Sequence, residues 1–281
     1  MIRLRGGSGL GDSLYLRPIV EHLERQGKNV TVMTEFPEVF RGTRALTERF
    51  NRNNITITAH YPHGKNNDKT NQWQDILESA RLGHIPLRFT WNQTDRAFVD
   101  AVRKRAGNRH IILVIGGREP MGRSDGFGAE LLPWRGAFDY VLDNLRDCYT
   151  VRVGKGQKAY DLRVDEDLSN KTTVCQLMDL AQSCSAVVGQ CSYAIPLAEG
   201  FDKPLMAVWA RAGTESRQPY IKTITPNKIL SKGSSWWVFD SDSMHSIIAQ
   251  TRLFKNAFRL WGVGEDDQPV PARHSEMVHR L

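Results

Sequence analysis

The chain begins with the stretch MIRLRGGSGLGDSLYLRPIVEHL (residues 1–23), in which a short strand-like run passes through a glycine-rich turn into an apolar helix pattern. Apolar residues after the turn recur at three- and four-residue intervals, as they do on one face of an α-helix. A strand, a tight turn and a helix in this order form the first part of a βαβ unit. The stretch therefore predicts an α/β fold whose first strand ends at the glycines.

The same alternation of strand-like and helix-like runs continues along the chain in two series. In the first series, strands are predicted at 2–7, 28–35 and 54–61, with helices at 13–27, 37–50, 71–83 and 93–107. In the second series, strands are predicted at 109–117, 148–156, 185–192 and 203–210, with helices at 135–147, 173–184 and 193–201. Repeated alternation of this kind is typical of parallel sheets covered by helices.

Two domains follow from the two series. We place the first domain at residues 1–107 and the second at residues 108–244. Residues 245–281 contain a long amphipathic helix pattern and then a polar tail. We expect this helix to cross back over the domain border.

The 281-residue chain carries a formal net charge of +7, and its basic residues are dispersed rather than gathered in one run. This charge favours polyanionic partners such as nucleic acid, anionic lipid headgroups or phosphorylated sugars. No apolar run approaches the ~20 residues of a membrane-spanning helix, and the first residues lack the pattern of a signal peptide. We therefore expect a cytoplasmic protein without a transmembrane segment.

The four cysteines give no sign of a metal centre. They form no C-x-x-C pair, have no histidine at metal-ligand spacing, and lie at Cys148, Cys175, Cys184 and Cys191. Cysteines in this pattern are expected to be buried or free thiols.

The glycine turn GGSGLGDS (residues 6–13) has the outline of a phosphate-binding P-loop, but Asp12 replaces the lysine that would contact the transferred phosphate. The glycine spacing of a dinucleotide-binding fingerprint is absent as well. Two interpretations of Asp12 remain. It caps the helix that follows, or its carboxylate accepts a proton from a hydroxyl at the mouth of a cleft.

Two further strand ends carry small residues, GGREP (116–120) and GQCSY (189–193). Ligands of α/β sheets bind beyond the carboxyl ends of the strands, and helix N-termini offer N–H groups to phosphate oxygens. Two such turns facing each other across a cleft would suit a nucleoside diphosphate. Candidates for binding a second substrate, the acceptor, are four residues in polar loops: His60, Trp91, Arg211 and Arg217.

Two segments of the chain resemble the ADP-heptose–lipopolysaccharide heptosyltransferase family. The first is GSGLGDSLYLRPIVEHLERQG (7–27), with a Gly-Asp turn followed by an apolar, proline-containing helix. The second is DLSNKTTVCQLMDLAQSCSAVVGQCSYAIPLAEGFDKPLMAVWA (167–210), which resembles the family's donor-side helix–strand–turn–helix–strand block without a gap from Val187 to Pro204. The order and separation of the two segments also agree with the family.

This resemblance implies a GT-B fold, in which two Rossmann-like domains face each other across a cleft. It implies inverting transfer of a sugar from a nucleotide sugar, with no metal or other cofactor. Asp12 matches the family's proposed general base. The donor-binding residues proposed from the resemblance and the glycine turns are Gly9, Gly11, Ser13, Gly117, Arg118, Lys155, Gly189, Gln190, Cys191, Ser192 and Tyr193.

Two positions of the donor turn depart from the family pattern, since Cys191 replaces an aspartate and Tyr193 replaces a glycine. The donor therefore need not be ADP-heptose. The resemblance favours a lipopolysaccharide-type glycan as acceptor, whereas the basic charge also suits hydroxymethylated pyrimidines in DNA, as in viral DNA glycosylation. A nucleotide- or nucleic-acid-binding module without catalytic activity is the remaining alternative.

Overall fold

The structure is a computed structural model that describes residues 1–49, 55–59, 71–116, 133, 135–156, 159–190, 192–210, 235–239 and 242–261. Its helices are α1 (Leu10–Arg25), α2 (Gln72–Ser79), α3 (Arg96–Ala106), α4 (Arg135–Asp143), α5 (Val174–Ser183), α6 (Ala194–Gly200) and α7 (Met244–Trp261). No helix within these ranges is both long enough and apolar enough to cross a membrane.

The strands form two sheets, and all their pairings are parallel. The first sheet has the order β3-β2-β1-β4 and consists of β1 (Ile2–Arg5), β2 (Val30–Met33), β3 (Leu46–Glu48) and β4 (Ile57–Thr58). The second has the order β10-β9-β8-β5-β6-β7 and consists of β5 (Ile111–Ile115), β6 (Tyr149–Val153), β7 (Glu166–Asp167), β8 (Ala186–Gln190), β9 (Leu205–Trp209) and β10 (Ser235–Phe239). The predicted α/β class with parallel sheets is confirmed.

The two sheets share one apolar core. Strand β5 shows why, because its side chains alternate between the two faces of the second sheet. Leu113 and Ile115 belong to a buried cluster that also contains Leu4 of β1 and Leu16 of α1. Ile112 belongs instead to a second cluster on the opposite face. One face of the second sheet is therefore packed toward the first sheet, and this places α1 against α6.

The predicted helix over residues 37–50 is wrong. Only a short 3₁₀ helix, Pro37–Phe40, forms there, and the chain then continues into β3. Gly42 has a φ of +84°, a left-handed conformation that ends the helix. The parallel pairing of β3 with β2 accounts for the rest of the segment. The sequence analysis also missed β7 and β10; β7 has two acidic residues and no apolar pattern.

The C-terminal helix lies against the second sheet, and the crossing of residues 245–281 back over the domain border stays a prediction. Helix α7 packs on α4, β9 and β10 of the second sheet. Phe254 and Phe258 are buried in the second cluster, and the Phe254 ring meets Trp236 of β10 edge-on. Lys255 and Arg259 both form ion pairs with Asp147. The apolar face of α7 is therefore covered by its own sheet.

Helix α3 packs against elements of the second sheet, although the border predicted at residues 107 and 108 would assign this helix to the first domain. It packs on α5, and its Arg105 side chain forms a 2.7 Å ion pair with Glu166 of β7. The border itself stays a prediction. These contacts place α3 beside α5 and the edge strand β7.

Candidate active site

The glycine turn after β1 holds Asp12 inside the first turn of α1. The helix begins at Leu10 with Gly9 as its N-cap, so Asp12 is its third residue. The Gly9 N–H donates a 2.9 Å hydrogen bond to Asp12 Oδ2. The positive end of the helix dipole favours a carboxylate at this position. Asp12 thus makes the local contact expected of a capping residue while its side chain is only half-buried.

Gly7 leaves the space that the Asp12 carboxylate occupies. A Cβ atom at residue 7 would lie 2.2 Å from Asp12 Oδ2 and 2.4 Å from Cγ, far inside van der Waals contact. The obstructing group is the end of a short side chain, which can rotate about its χ angles once it leaves the Gly9 N–H. A larger residue at this position would therefore displace the carboxylate and leave the backbone in place.

If Asp12 is the general base of sugar transfer, as the sequence analysis predicts, Gly7→Ala should lower kcat by roughly tenfold to a hundredfold, since misplacing a catalytic group by about 1 Å has effects of this size. The midpoint of thermal unfolding should change little, because the turn can relax through the Asp12 side chain. Steady-state kinetics and thermal melts of the same preparation test this. Gly83→Ala is the matched control, because a Cβ at exposed Gly83 would meet nothing within 4 Å. Equal kcat in both variants would contradict the spatial argument.

The turn before α6 lies directly opposite the turn before α1. A Cβ at Gly11 would be 3.4 Å from Tyr193 Cα and 3.6 Å from Tyr193 Cβ, which is ordinary contact distance. Helices α1 and α6 are also in contact with each other. The fold therefore joins the two glycine-containing turns that the sequence analysis singled out, although residues 12 and 193 lie far apart in the chain.

In the donor turn after β8, Ser192 contacts its own neighbours in the chain. Ser192 Oγ donates to the Gln190 carbonyl at 3.1 Å and accepts from the Ala194 N–H at 3.3 Å. The Ile195 N–H donates to the Ser192 carbonyl at 3.2 Å. Ser192 thus shapes the turn and already satisfies the first N–H groups of α6. Its role as a donor ligand, like that of the buried Gln190, stays a prediction.

Gly189 serves packing, and its assignment as a donor contact stays a prediction. It is buried within β8, between β5 and β9. A Cβ there would lie 2.4 Å from Ala194 Cβ. The absent side chain therefore lets α6 approach the sheet closely, a role that glycine has at strand–helix junctions.

Lys155 lies at the carboxyl end of β6, in a turn that Asn170 stabilises. The flanking Gly154 and Gly156 both have positive φ angles, +124° and +118°. The Asn170 N–H donates to the Gly154 carbonyl at 2.8 Å, and Asn170 Oδ1 accepts from the Gly156 N–H at 3.1 Å. Lys155 is exposed at the same edge of the sheet as the donor turn. Its assignment as a donor-phosphate contact stays a prediction.

Two assignments are corrected. Ser13 is 1% exposed, and its hydroxyl is 2.8 Å from Thr34 Oγ1, so it joins α1 to the end of β2 and does not reach a donor. Trp91 is 5% exposed, so its ring has no free face for an acceptor. Its Nε1–H donates a 2.6 Å hydrogen bond to Asp179, and the Arg17 guanidinium lies 5.0 Å from its ring centroid.

Six of the proposed site residues fall outside the described part of the chain: Gly117, Arg118, Cys191, His60, Arg211 and Arg217. Within the described ranges, no three histidine, cysteine, aspartate or glutamate side chains are grouped so as to hold a metal ion. Cys148, Cys175 and Cys184 carry free thiols. Burial, aided by the negative charge of Asp147, raises the pKa of Cys148 to about 11.

The sequence analysis missed a buried charge cluster between the two sheets. Arg17 and Glu21 of α1 are 1% and 8% exposed and form a 2.8 Å ion pair. Burial lowers the pKa of Arg17 and raises the pKa of Glu21, although each partner's charge opposes the shift. The signal was present in the sequence, because an arginine and a glutamate four residues apart interrupt the apolar run of α1.

Known structures share this arrangement of two sheets. The chain is similar to E. coli ADP-heptose lps heptosyltransferase II, with a TM-score of 0.58, 13% identity, and coverage of 94% of this chain and 100% of that one. It is also similar to a glycosyl transferase family 9 protein from Veillonella parvula, with a TM-score of 0.62 and 9% identity. That match covers 91% of this chain and 97% of the other. It is similar as well to E. coli heptosyltransferase WaaC with ADP, with a TM-score of 0.51 and 9% identity. That match covers 92% of this chain and 99% of WaaC.

No protein-family model matches the sequence, and no curated protein matches it either. At identities of 9–13%, likeness to these structures bears on the fold. The shared architecture extends over both sheets and nearly the full length of each chain compared. The chain therefore has the GT-B fold, with two Rossmann-like domains built on parallel sheets.

Proposed function

We propose that the chain is an inverting, metal-independent glycosyltransferase that moves a sugar from a nucleotide-sugar donor to an acceptor hydroxyl. The observation that carries this proposal is the contact between the Asp12 turn and the donor turn, where a Cβ added at Gly11 would lie 3.4 Å from Tyr193 Cα. A carboxylate on one side and a donor-binding turn on the other are what a single displacement at an anomeric carbon requires. The names of the similar solved structures support the same reaction class.

In the proposed reaction, the acceptor oxygen attacks the anomeric carbon as its proton passes to the Asp12 carboxylate. The bond from the anomeric carbon to the diphosphate oxygen breaks, and its electron pair leaves with the nucleoside diphosphate. One displacement inverts the anomeric configuration. Lys155, exposed at the carboxyl edge of the second sheet, would neutralise part of the charge on the departing diphosphate.

The same comparison supports the proposed donor class. One similar structure is named for ADP-heptose, and another contains ADP. We propose a nucleoside-diphosphate sugar as donor and a phosphorylated, lipopolysaccharide-type glycan as acceptor, which the net charge of +7 would attract. Duplex DNA containing hydroxymethylated pyrimidines is the comparison acceptor, and its binding should weaken steeply as salt rises.

The proposal is tested by a donor screen on the full chain. Thermal shift is measured with ADP-, UDP-, GDP- and CMP-linked sugars, and release of the free nucleotide is followed with and without EDTA. A ligand at a hundred times its Kd stabilises the folded state by about 2.7 kcal/mol, so the cognate donor should raise the melting temperature clearly. Stabilisation by none of the four classes would overturn the proposal. Activity that disappears in EDTA would overturn its metal independence.

A further inference from the structure

A short segment between α2 and α3, residues 89–95, contacts α1 of the first half and α5 and α6 of the second half. We call this segment the strap. On the side of the first sheet it meets α1. The Thr90 N–H donates to Glu21 Oε1 and Oε2 at 3.1 and 3.2 Å, and Arg17 donates to the Thr90 carbonyl. Arg17 also donates to the Val39 and Arg41 carbonyls, so α1, the loop after β2 and the strap are joined at one guanidinium.

On the side of the second sheet, the strap meets Asp179 of α5, whose side chain is completely buried. Four donors of the strap converge on this one carboxylate. Trp91 Nε1–H donates at 2.6 Å and Thr94 Oγ1–H at 2.8 Å. The backbone N–H groups of Thr94 and Asp95 donate at 3.0 and 2.7 Å. An ionised carboxylate has only acceptor sites, and it can satisfy all four donors at once.

The beginning of the strap is joined to the end of α6. The Phe89 N–H donates to the Gly200 carbonyl at 2.7 Å. A Cβ at Gly200 would lie 2.1 Å from the Phe89 ring, so the ring packs directly on the glycine. Gly200 is the last residue of α6, whereas Tyr193 precedes its first residue. The strap thus contacts one end of α6, and the donor turn lies at the other end.

The same geometry holds on α1. Arg17 lies five residues after Asp12, which corresponds to roughly 7.5 Å along a helix. The strap therefore contacts α1 and α6 at points that lie away from the two turns. Because α1 and α6 are in contact, the position of one helix relative to the other at the strap also affects the contact between Gly11 and Tyr193. Since helices are stiff and interiors are close-packed, a shift at the strap would change the gap between the turns.

We propose that Asp179 is a positioning residue: by ordering the strap, it fixes α1 against α6 and so sets the separation of Asp12 from the donor turn. The consequence for catalysis rests on the proposed function. The geometric part does not, because the separation of the two turns is measurable without any substrate. Asp179→Asn is the informative change, since an amide nitrogen would face N–H donors of the strap where a carboxylate oxygen now accepts from them.

The separation of the turns can be measured by disulfide trapping. Cysteines introduced by Gly11→Cys and Tyr193→Cys would have Cβ atoms about 3.6 Å apart, within the range of ~3.5–4.5 Å found in disulfides. The background carries Cys175→Ser and Cys191→Ser, and the buried Cys148 and Cys184 are kept. Under a mild oxidant we expect rapid cross-linking with Asp179 in place. Asp179→Asn should slow the cross-linking at least tenfold.

Asp165→Asn is the matched control. The Asp165 carboxylate also accepts hydrogen bonds from a backbone N–H and a hydroxyl of one residue, Thr150, and it pairs with Arg109 at 2.8 Å. It lies near the outer edge of the second sheet, away from the strap. This variant should cross-link at the original rate. Trp91→Phe, which removes one of the four donors, is the milder second variant and should give an intermediate rate.

Three outcomes separate the claims. Equal cross-linking rates in the original background, Asp179→Asn and Trp91→Phe would overturn the positioning role, whatever the activity. Slower cross-linking, together with a lower kcat and an unchanged affinity for the nucleoside diphosphate, would support it fully. Slower cross-linking in a chain that binds no nucleotide sugar would leave the positioning of the turns intact and overturn the proposed function alone.

Discussion

Asp12→Asn is expected to lower kcat for sugar transfer by about 10²–10⁴-fold, the usual contribution of a positioned general base. The change separates proton transfer from helix capping, because an asparagine cannot act as the base. Its side-chain oxygen can still accept the hydrogen bond that Asp12 receives from the Gly9 N–H at 2.9 Å. Stability and donor affinity should therefore stay close to those of the original chain. Initial rates with the donor identified by thermal shift, and the melting temperature with and without that donor, provide the measurement.

Asp100→Asn is the appropriate control for this experiment. Asp100 lies exposed on α3, where it pairs loosely with Arg96 and Arg103 at 3.7 and 3.9 Å. Removing its charge should leave kcat unchanged. If Asp12→Asn kept more than a tenth of the original rate, Asp12 would be a helix-capping residue only, and the proton acceptor would have to be sought elsewhere.

Arg17→Met is expected to destabilise the protein by about 3–5 kcal/mol, the usual effect of removing one partner of a buried ion pair. The variant leaves Glu21 buried without the guanidinium that lies 2.8 Å away. It also removes the donors that reach the carbonyls of Val39 and Thr90. Urea unfolding at fixed pH measures the change in free energy.

The destabilisation should depend on pH in a defined direction. Burial already raises the pKa of Glu21 above 4.5, against the opposing charge of Arg17, and the variant removes that opposition. The folded state then holds a proton on Glu21 that the unfolded state releases, so stability falls as pH rises above about 4.5. The loss should be greater at pH 8 than at pH 5. Glu21→Gln added to Arg17→Met should remove this pH dependence and recover part of the stability.

A loss that stayed constant between pH 5 and pH 8 would mean that Glu21 is not the group left unpaired. In that case the destabilisation would come from the lost packing of Arg17 on the Trp91 ring, 5.0 Å from its centroid, and from the lost hydrogen bonds to the Val39 and Thr90 carbonyls. The double variant distinguishes the two causes, because Glu21→Gln restores nothing to the ring contact.

The sequence predicted those parts of the fold that local patterns determine. The run RHIILVIGG gave β5, and the glycines after β1 and within β8 marked the turns that meet between the sheets. The segment after residue 37 was misjudged, since its helix-like spacing was overridden by Gly42 and by pairing with β2, neither of which the spacing reflects. The edge strand β7 is too short for any periodicity to be visible.

Site residues were predictable only where their role is local. Asp12 was found because it follows a glycine turn, and its position in the helix agrees with that pattern. Ser13 and Trp91 were misassigned because their partners, Thr34 and Asp179, are distant in sequence. One feature of the sequence indicates that Asp179 is unusual, because it places a carboxylate on the apolar side of an amphipathic helix. No pattern along the chain indicates which donors will surround it.

The contact between Gly11 and Tyr193 has a consequence for how the chain can vary. The two residues divide one space between them, since α1 supplies no side chain and the donor turn supplies a bulky one. A methyl group at position 11 fits at ordinary contact distance, whereas a larger side chain there would need a smaller residue at position 193 or a wider gap between the two helices. Large substitutions at this contact are therefore expected in compensating pairs, one from each side.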